Sequence, residues 1–256
     1  MKKSRLPFSI LLGALVFFYA PLAVLSALSF NDNYGMHWTG FSLRWYEELF
    51  RNQPDLWLAF GNSLIVALSA GLAATIIAAF GAVGLAWSRF RFRQAILGLT
   101  FLPMVLPEII LGVSLLLLFN FSHVPLSLFT VFLAHSTFCL PFAYLVTAAR
   151  LESFDRSLLE AARDLGANRW QAFQKVALPL LGPGLGAAFL LSVTLSLEDF
   201  VITFFVAGPG SSTLAVHVYS MVRFGVSPVV NALSVLLLVG TAVLAFFSRG
   251  AIKNLA

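Results

Sequence analysis

The chain has 256 residues, 59% of them hydrophobic and 11% charged, with 26 phenylalanines and a formal charge of +5. A globular domain carries roughly 45–50% apolar and about 25% charged residues, so this composition excludes an ordinary soluble domain and leaves room for several membrane spans with little mass outside them. Basic residues in such a chain are orientation signals before they are a nucleic-acid surface, and its single cysteine, Cys139, excludes an intrachain disulfide.

Six apolar runs, at about residues 7–29, 59–88, 95–120, 128–149, 180–206 and 230–248, are each long enough to cross the hydrocarbon core. The expected fold is an all-α integral membrane protein, one transmembrane domain over residues 1–256. The first run follows Met1-Lys2-Lys3-Ser4-Arg5 in the manner of a signal peptide. Its roughly 20 apolar residues exceed the usual 7–15 of a signal core, so it is read as a retained helix.

The loop over residues 30–58 carries Trp38, Phe41, Trp45, Tyr46, Phe50 and Trp57, side chains that favour the lipid–water boundary. Leu43, Tyr46 and Phe50 recur at helical spacing after Ser42, which predicts a short helix lying on the membrane with Ser42 at its start. The same aromatic residues suit docking of an external partner, with Tyr46 and Phe50 as the contacts.

In the third run Glu108 lies about 13 residues, or roughly 20 Å along a straight helix, from the run's beginning. Pro103 and Pro107 weaken the backbone hydrogen bonding just before it, an arrangement tolerated where a cavity is lined. The fourth run holds His135. With His37, His123 and His217 scattered and no metal spacing among them, His135 is read as an interhelical hydrogen-bond or packing residue.

Between Arg150 and Pro179 the composition becomes that of two short soluble helices. Ser157-Leu158-Leu159-Glu160 has capping-box spacing, Leu159, Ala162 and Leu165 make an apolar edge, and Gly166 supplies a left-handed stop. Asn168-Arg169-Trp170-Gln171 offers a second cap, after which Trp170, Phe173 and Val176 form another apolar edge. Pro179 closes the segment. A helix–glycine–helix that exposes large apolar residues among charges is what the groove of a partner grips.

The fifth run contains Glu198 and Asp199. A charge at a helix centre costs roughly 2.5–3.5 kcal/mol on insertion scales, so Glu108, Glu198 and Asp199 together cost about 8–10 kcal/mol unless they face protein, water or a cation. Neighbours in a helix point about 100° apart, so one of Glu198 and Asp199 is expected to face a pore. Pairing with Ser, Thr or His between helices is the alternative role for all three.

Lysines and arginines are unevenly shared between the two sides of this map. The side of the N-terminus holds thirteen, including Lys2, Arg91, Arg93, Arg150, Arg163 and Arg249, whereas the other holds Arg44, Arg51 and Arg223. Both termini are therefore expected in the cytoplasm.

Glu160-Ala161-Ala162, Gly166 and Val176-Ala177-Leu178-Pro179 resemble the EAA loop of permease subunits of bacterial ABC importers. Phe41-Ser42-Leu43-Arg44-Trp45-Tyr46, Phe90-Arg91-Phe92-Arg93, Pro107-Glu108-Ile109, the run from His135 to Phe142, Phe200-Val201-Ile202-Thr203 and Tyr219-Ser220-Met221-Val222-Arg223 extend the likeness to PotC-type permeases of spermidine/putrescine importers. Glu198 stands where such permeases often have aspartate, and a proline near Ala215 and an acidic residue near Val229 are absent. The resemblance implies the type I importer architecture with six spans, in the bacterial inner membrane, and alternating access as the mechanism. It implies that the 150–179 loop couples to an ATPase dimer through Glu160, Ala161, Ala162, Gly166, Trp170, Phe173, Leu178 and Pro179. It also implies a second permease of PotB type and an external binding protein of PotD type, with Glu108, Glu198 and Asp199 along the substrate path and Asp199 the better candidate of the adjacent pair.

No Gly-x-x-x-x-Gly-Lys-Ser/Thr loop occurs, so ATP and magnesium belong to the partner ATPase, and no cofactor, metal or catalytic residue is expected in this chain. A secondary transporter fits less well because no inverted halves are visible. An intramembrane protease is the alternative of another class, but Gly112-Val113-Ser114 and Gly225-Val226-Ser227 lack a following glycine and no histidine is placed as base. Another small cation, or an aminophosphonate, is the alternative cargo.

Overall fold

The computed structural model describes residues 5–35, 37–87, 91–153, 157–223, 225 and 227–253, with the backbone alone at 5–7, 159, 160, 169 and 244–253. In chain order its helices are α1 (Arg5–Leu28), α2 (Arg44–Arg51), α3 (Pro54–Trp87), α4 (Arg93–Val105), α5 (Glu108–Phe121), α6 (Leu128–Glu152), α7 (Ser157–Asp164) and α8 (Arg169–Ala172). A π-helical turn, Phe173–Ala177, then leads into α9 (Leu178–Glu198), followed by α10 (Val201–Val206), α11 (Leu214–Arg223) and α12 (Pro228–Lys253). Among the described residues the sole β contact is an isolated antiparallel bridge between Asn31 and Phe41.

The chain divides into two compact units, one running to Trp57 and resuming at Val218, the other spanning Leu58–His217. In the first, α12 packs against both α1 and α2. α1 exposes Leu15, Val16, Phe17 and Phe18, consecutive residues that point to every side, as a helix does whose solvent is lipid. The connection to α2 is built on Asn31, whose amide donates to the His37 carbonyl at 2.8 Å and whose Oδ1 accepts the Thr39 N–H at 2.9 Å. Trp45 Nε1 donates to the Asn31 carbonyl at 2.6 Å, so this indole and Leu49 form the buried face of α2. The sequence reading placed Tyr46 and Phe50 together on one face. Instead Tyr46 turns inward, its hydroxyl 2.9 Å from Ser29 Oγ, while Phe50 stays exposed and stacks on Trp57. Two apolar stripes are available to so short a helix, and packing on α12 selects between them. Ser42 does not cap as expected; Leu43 takes that position, and Ser42 Oγ accepts the Arg44 N–H at 3.2 Å.

In the second unit α6 is the central element and packs on α4, α5, α9 and α10. α9 turns a stripe of small residues, Gly184, Ala188, Ser192 and Ser196, to the interior at four-residue spacing, which lets two helices approach closely. At Gly184 an added Cβ would come within 2.6 Å of the Arg150 side chain, whose Nε donates to the Leu180 carbonyl. Asn62 donates to the carbonyls of Gly210 and Ser212, both at 3.0 Å, and Ser63 Oγ accepts the Leu214 N–H, so α3 holds the connection after α10. That connection also passes directly over Leu126: a Cβ on Gly208 would collide with the Leu126 carbonyl, and backbone cannot rotate away. Gly208→Ala is expected to cost about 3 kcal/mol, read as a lowered melting temperature of the detergent-purified protein. An unchanged melting temperature would refute this packing.

Four described helices are long and apolar enough to cross a membrane: Phe8–Leu28, Pro54–Trp87, Leu128–Glu152 and Trp170–Glu198. The third and fifth runs were expected as single spans, and both are broken. α4 and α5 meet at a bend of 112°. Pro107 gives no N–H and drives Leu106 out of the helical region, to φ −75° and ψ 139°, whereas Pro103 is carried inside α4 without a break. The depth of Glu108 measured along a straight helix therefore does not hold. In the fifth run the helix stops at Glu198, Asp199 is extended at ψ 127°, and helix resumes at Val201. Pro179, expected to end the preceding segment, lies at the start of α9 with helix on both sides. Ahead of it the wide π turn, closed by a Leu178 N–H to Phe173 carbonyl bond, carries the chain past a residue with no donor. For the sixth run, the apolar stretch described in side-chain detail is Pro228–Val243.

Candidate functional site

The two breaks meet at one cavity of about 570 Å³ in the second unit. Pro103, Met104, Leu106, Pro107 and Glu108 line it from the first break, Leu195, Glu198, Asp199, Phe200 and Val201 from the second, and Phe138 and Phe142 from α6. Glu108 opens α5, where a carboxylate meets the free N–H groups and positive end of a helix. α5 lies along α10, and Gly112 permits the approach because a Cβ there would come within 2.8 Å of Phe205. All three membrane carboxylates singled out in the sequence thus border one space.

They are not equivalent. Glu108 and Glu198 are exposed, whereas Asp199 is 6% exposed and its carboxylate points into the protein. Asp199 Oδ1 accepts the Ile202 N–H at 3.2 Å, and Oδ2 accepts the Thr203 N–H and hydroxyl, each at 2.9 Å. These are the donors that the first turn of α10 leaves free, so Asp199 makes the break by capping the helix after it. His135 Nε2 stands 3.1 Å from the same Oδ2. The preference for Asp199 over Glu198 as the pore-facing residue is reversed by this geometry. The 100° argument fails because the helix ends between the two residues.

His135 hydrogen-bonds between helices as expected, with Ser196, Thr203 and Asp199 as its partners, so Asp199 takes the alternative role of pairing with Thr and His. The legible signals were the small-residue stripe ending at Ser196 and the four-residue step from Asp199 to Thr203.

The loop after α6 is a second candidate site. Gly166 at φ +87° ends α7, its N–H donating to the Arg163 carbonyl at 2.8 Å while the Ala167 N–H reaches Ala162 at 3.0 Å. This paired closure places glycine where other residues are strained. Asn168 and Gln171 then cap one another, with the Asn168 N–H to Gln171 Oε1 at 3.0 Å and the Gln171 N–H to Asn168 Oδ1 at 2.8 Å. Leu165 is 89% exposed and Trp170 55%. Phe173, expected on the same exposed edge, is buried instead with Val83, Ala172, Ala177 and Leu181, stacked between Phe80 and Trp170. The second short helix does not stand alone but runs on into α9, which turns Phe173 inward. Ala161 is exposed and Ala162 half-buried; Leu178 is exposed beside Pro179. The Glu160 side chain, and with it the capping box from Ser157, lies outside the described residues.

Residues 71–255 match the family described as binding-protein-dependent transport system inner membrane component. The chain belongs to that family. It is 40% identical over 234 residues to the spermidine/putrescine transport system permease protein PotC of Haemophilus influenzae, covering 91% of each. To the putrescine transport system permease protein PotI of Escherichia coli K12 it is 40% identical over 247 residues, 93% of this chain and 88% of that protein. Among solved structures, a bacterial ABC transporter involved in the import of the acidic polysaccharide alginate superposes with a TM-score of 0.73 at 16% identity, over 99% of this chain and 98% of that one. The MetNI methionine ABC transporter gives 0.64 at 22% identity, over 79% and 97%. The all-helical importer-permease fold is therefore shared with systems of quite different cargo, so fold alone says nothing of the substrate.

Proposed function

We propose that this inner-membrane component is one permease subunit of an ATP-driven polyamine importer, taking spermidine or putrescine by alternating access. The observation that carries the reading is the cavity at the two breaks, where exposed Glu108 and Glu198 stand among Phe138, Phe142 and Phe200. A polyamine is a flexible chain of protonated amines that must shed water to enter such a space. Separated carboxylates and aromatic faces replace that water without holding every amine at once. The named cargo of the PotC and PotI relatives supports the same class.

In this reading the chain crosses the membrane six times, through α1, α3, α4 with α5, α6, α9 with α10, and α12. Both termini are cytoplasmic, a companion permease completes the path, and an external binding protein docks on the outer loop at the exposed Phe50. The loop built on Gly166 seats in an ATPase dimer, which supplies ATP and magnesium. The test is competition uptake by the reconstituted complex of both permeases, the ATPases and the binding protein. Labelled putrescine should be displaced by spermidine and not by an aminophosphonate. Displacement by the aminophosphonate, or no amine uptake, overturns the assignment.

A further inference from the structure

The break between α9 and α10 is gripped by a side chain from another helix. His135, on α6 and 0% exposed, uses both ring nitrogens. Nδ1 is 2.7 Å from Ser196 Oγ in the last turn of α9, and Nε2 is 2.8 Å from Thr203 Oγ1 in α10 and 3.1 Å from Asp199 Oδ2 in the break. The proton inventory fixes the roles. Thr203 has one hydroxyl proton and gives it to Asp199, so it meets the imidazole with a lone pair and Nε2 is the nitrogen that donates. Two backbone N–H groups and the Thr203 hydroxyl donate to the Asp199 carboxylate, and the one Nε2–H, given to Thr203 Oγ1 at 2.8 Å, is shared with Asp199 Oδ2 at 3.1 Å. These bonds hold the carboxylate inward while the adjacent Glu198 remains exposed to the cavity.

We propose that His135 is a positioning residue for transport: by joining the end of α9 to the start of α10 and drawing Asp199 inward, it sets the angle at which Glu198 enters the cavity. The path then presents one carboxylate of this pair, with the other spent on the fold. The transport arm of the test rests on the polyamine reading; the labelling arm does not.

The experiment compares His135→Gln, His135→Asn and His135→Ala in the full complex. A glutamine amide nitrogen overlays Nε2 and keeps the donor to Asp199 and Thr203, whereas asparagine overlays Nδ1 and keeps only the Ser196 side. In a Cys139→Ala background, Glu198→Cys reports the position of the break through its reaction rate with a cationic methanethiosulfonate. His135→Gln should leave that rate within about twofold, and His135→Asn and His135→Ala should change it about fivefold or more. With Glu198 intact, uptake per assembled complex should fall about tenfold in the latter two and be spared in His135→Gln. If His135→Ala does not assemble, the glutamine and asparagine variants decide. Equal labelling throughout, glutamine behaving as asparagine does, or failure of the glutamine variant to assemble each overturns the proposal. The expected labelling pattern in a complex that moves no polyamine upholds the positioning role and removes the substrate reading alone.

Discussion

Replacing Gly166 by proline is expected to abolish uptake while the protein still reaches the membrane. The residue sits at φ +87°, and proline is locked near −65°, so the turn cannot form around it. Proline also removes the N–H that Gly166 gives to the Arg163 carbonyl, opening the closure of α7. The spans enter the membrane on their own length and apolarity, so insertion proceeds. Alanine keeps the N–H and bears about 1–2 kcal/mol of left-handed strain, so Gly166→Ala should be intermediate. Trp170→Asp tests the same surface without touching the backbone. It removes an exposed ring that stacks on Phe173 and puts a charge where a partner groove would meet an apolar edge. Both Gly166→Pro and Trp170→Asp should lose uptake about a hundredfold or more, together with co-purification of the ATPase. Full recovery of uptake and ATPase in either variant removes the proposed coupling role.

How far the sequence carried each element follows from where its information lies. The runs at 7–29, 59–88 and 128–149 correspond to α1, α3 and α6 because lipid imposes length and apolarity on a helix, and both are local quantities. The stop at Gly166 and the cap at Asn168 were legible for the same reason, since each is closed within six residues. Pro107 announced a weakness in the third run, but the 112° direction of the bend is set by what α5 packs on, namely α10. The break at Asp199 has neither proline nor glycine beside it. Its cap from Asp199 to Thr203 is local, but the same carboxylate also meets a ring 64 residues away in sequence, and no window along the chain contains both partners. Residue type found the three carboxylates; burial, a tertiary property, divided them into two that face the cavity and one that shapes it. The same division separates Phe173 from Trp170 in the loop, where periodicity had placed both on one edge.

Neutralising either cavity carboxylate should impair cation transport more than assembly. Glu108→Gln and Glu198→Gln keep the shape of the side chain and remove a counter-charge from a space where an arriving amine has lost much of its water. A hydrogen bond to a charged group is worth about 1.5–3 kcal/mol, which corresponds to roughly ten- to a hundredfold in uptake per complex. Both side chains are exposed, so yield and melting temperature should change little. Asp199→Asn should behave in the opposite way. Its Oδ1 and Oδ2 accept from Ile202, Thr203 and His135, and an amide supplies donors where acceptors are required. That variant should lower the melting temperature and the amount of complex recovered, as removal of one partner from a buried network does. Uptake per assembled complex, measured beside thermal melting for all three variants, separates the two roles. Unchanged uptake per complex in both glutamine variants would show that the cavity carboxylates do not meet the cargo, and the path would then have to lie elsewhere in the subunit.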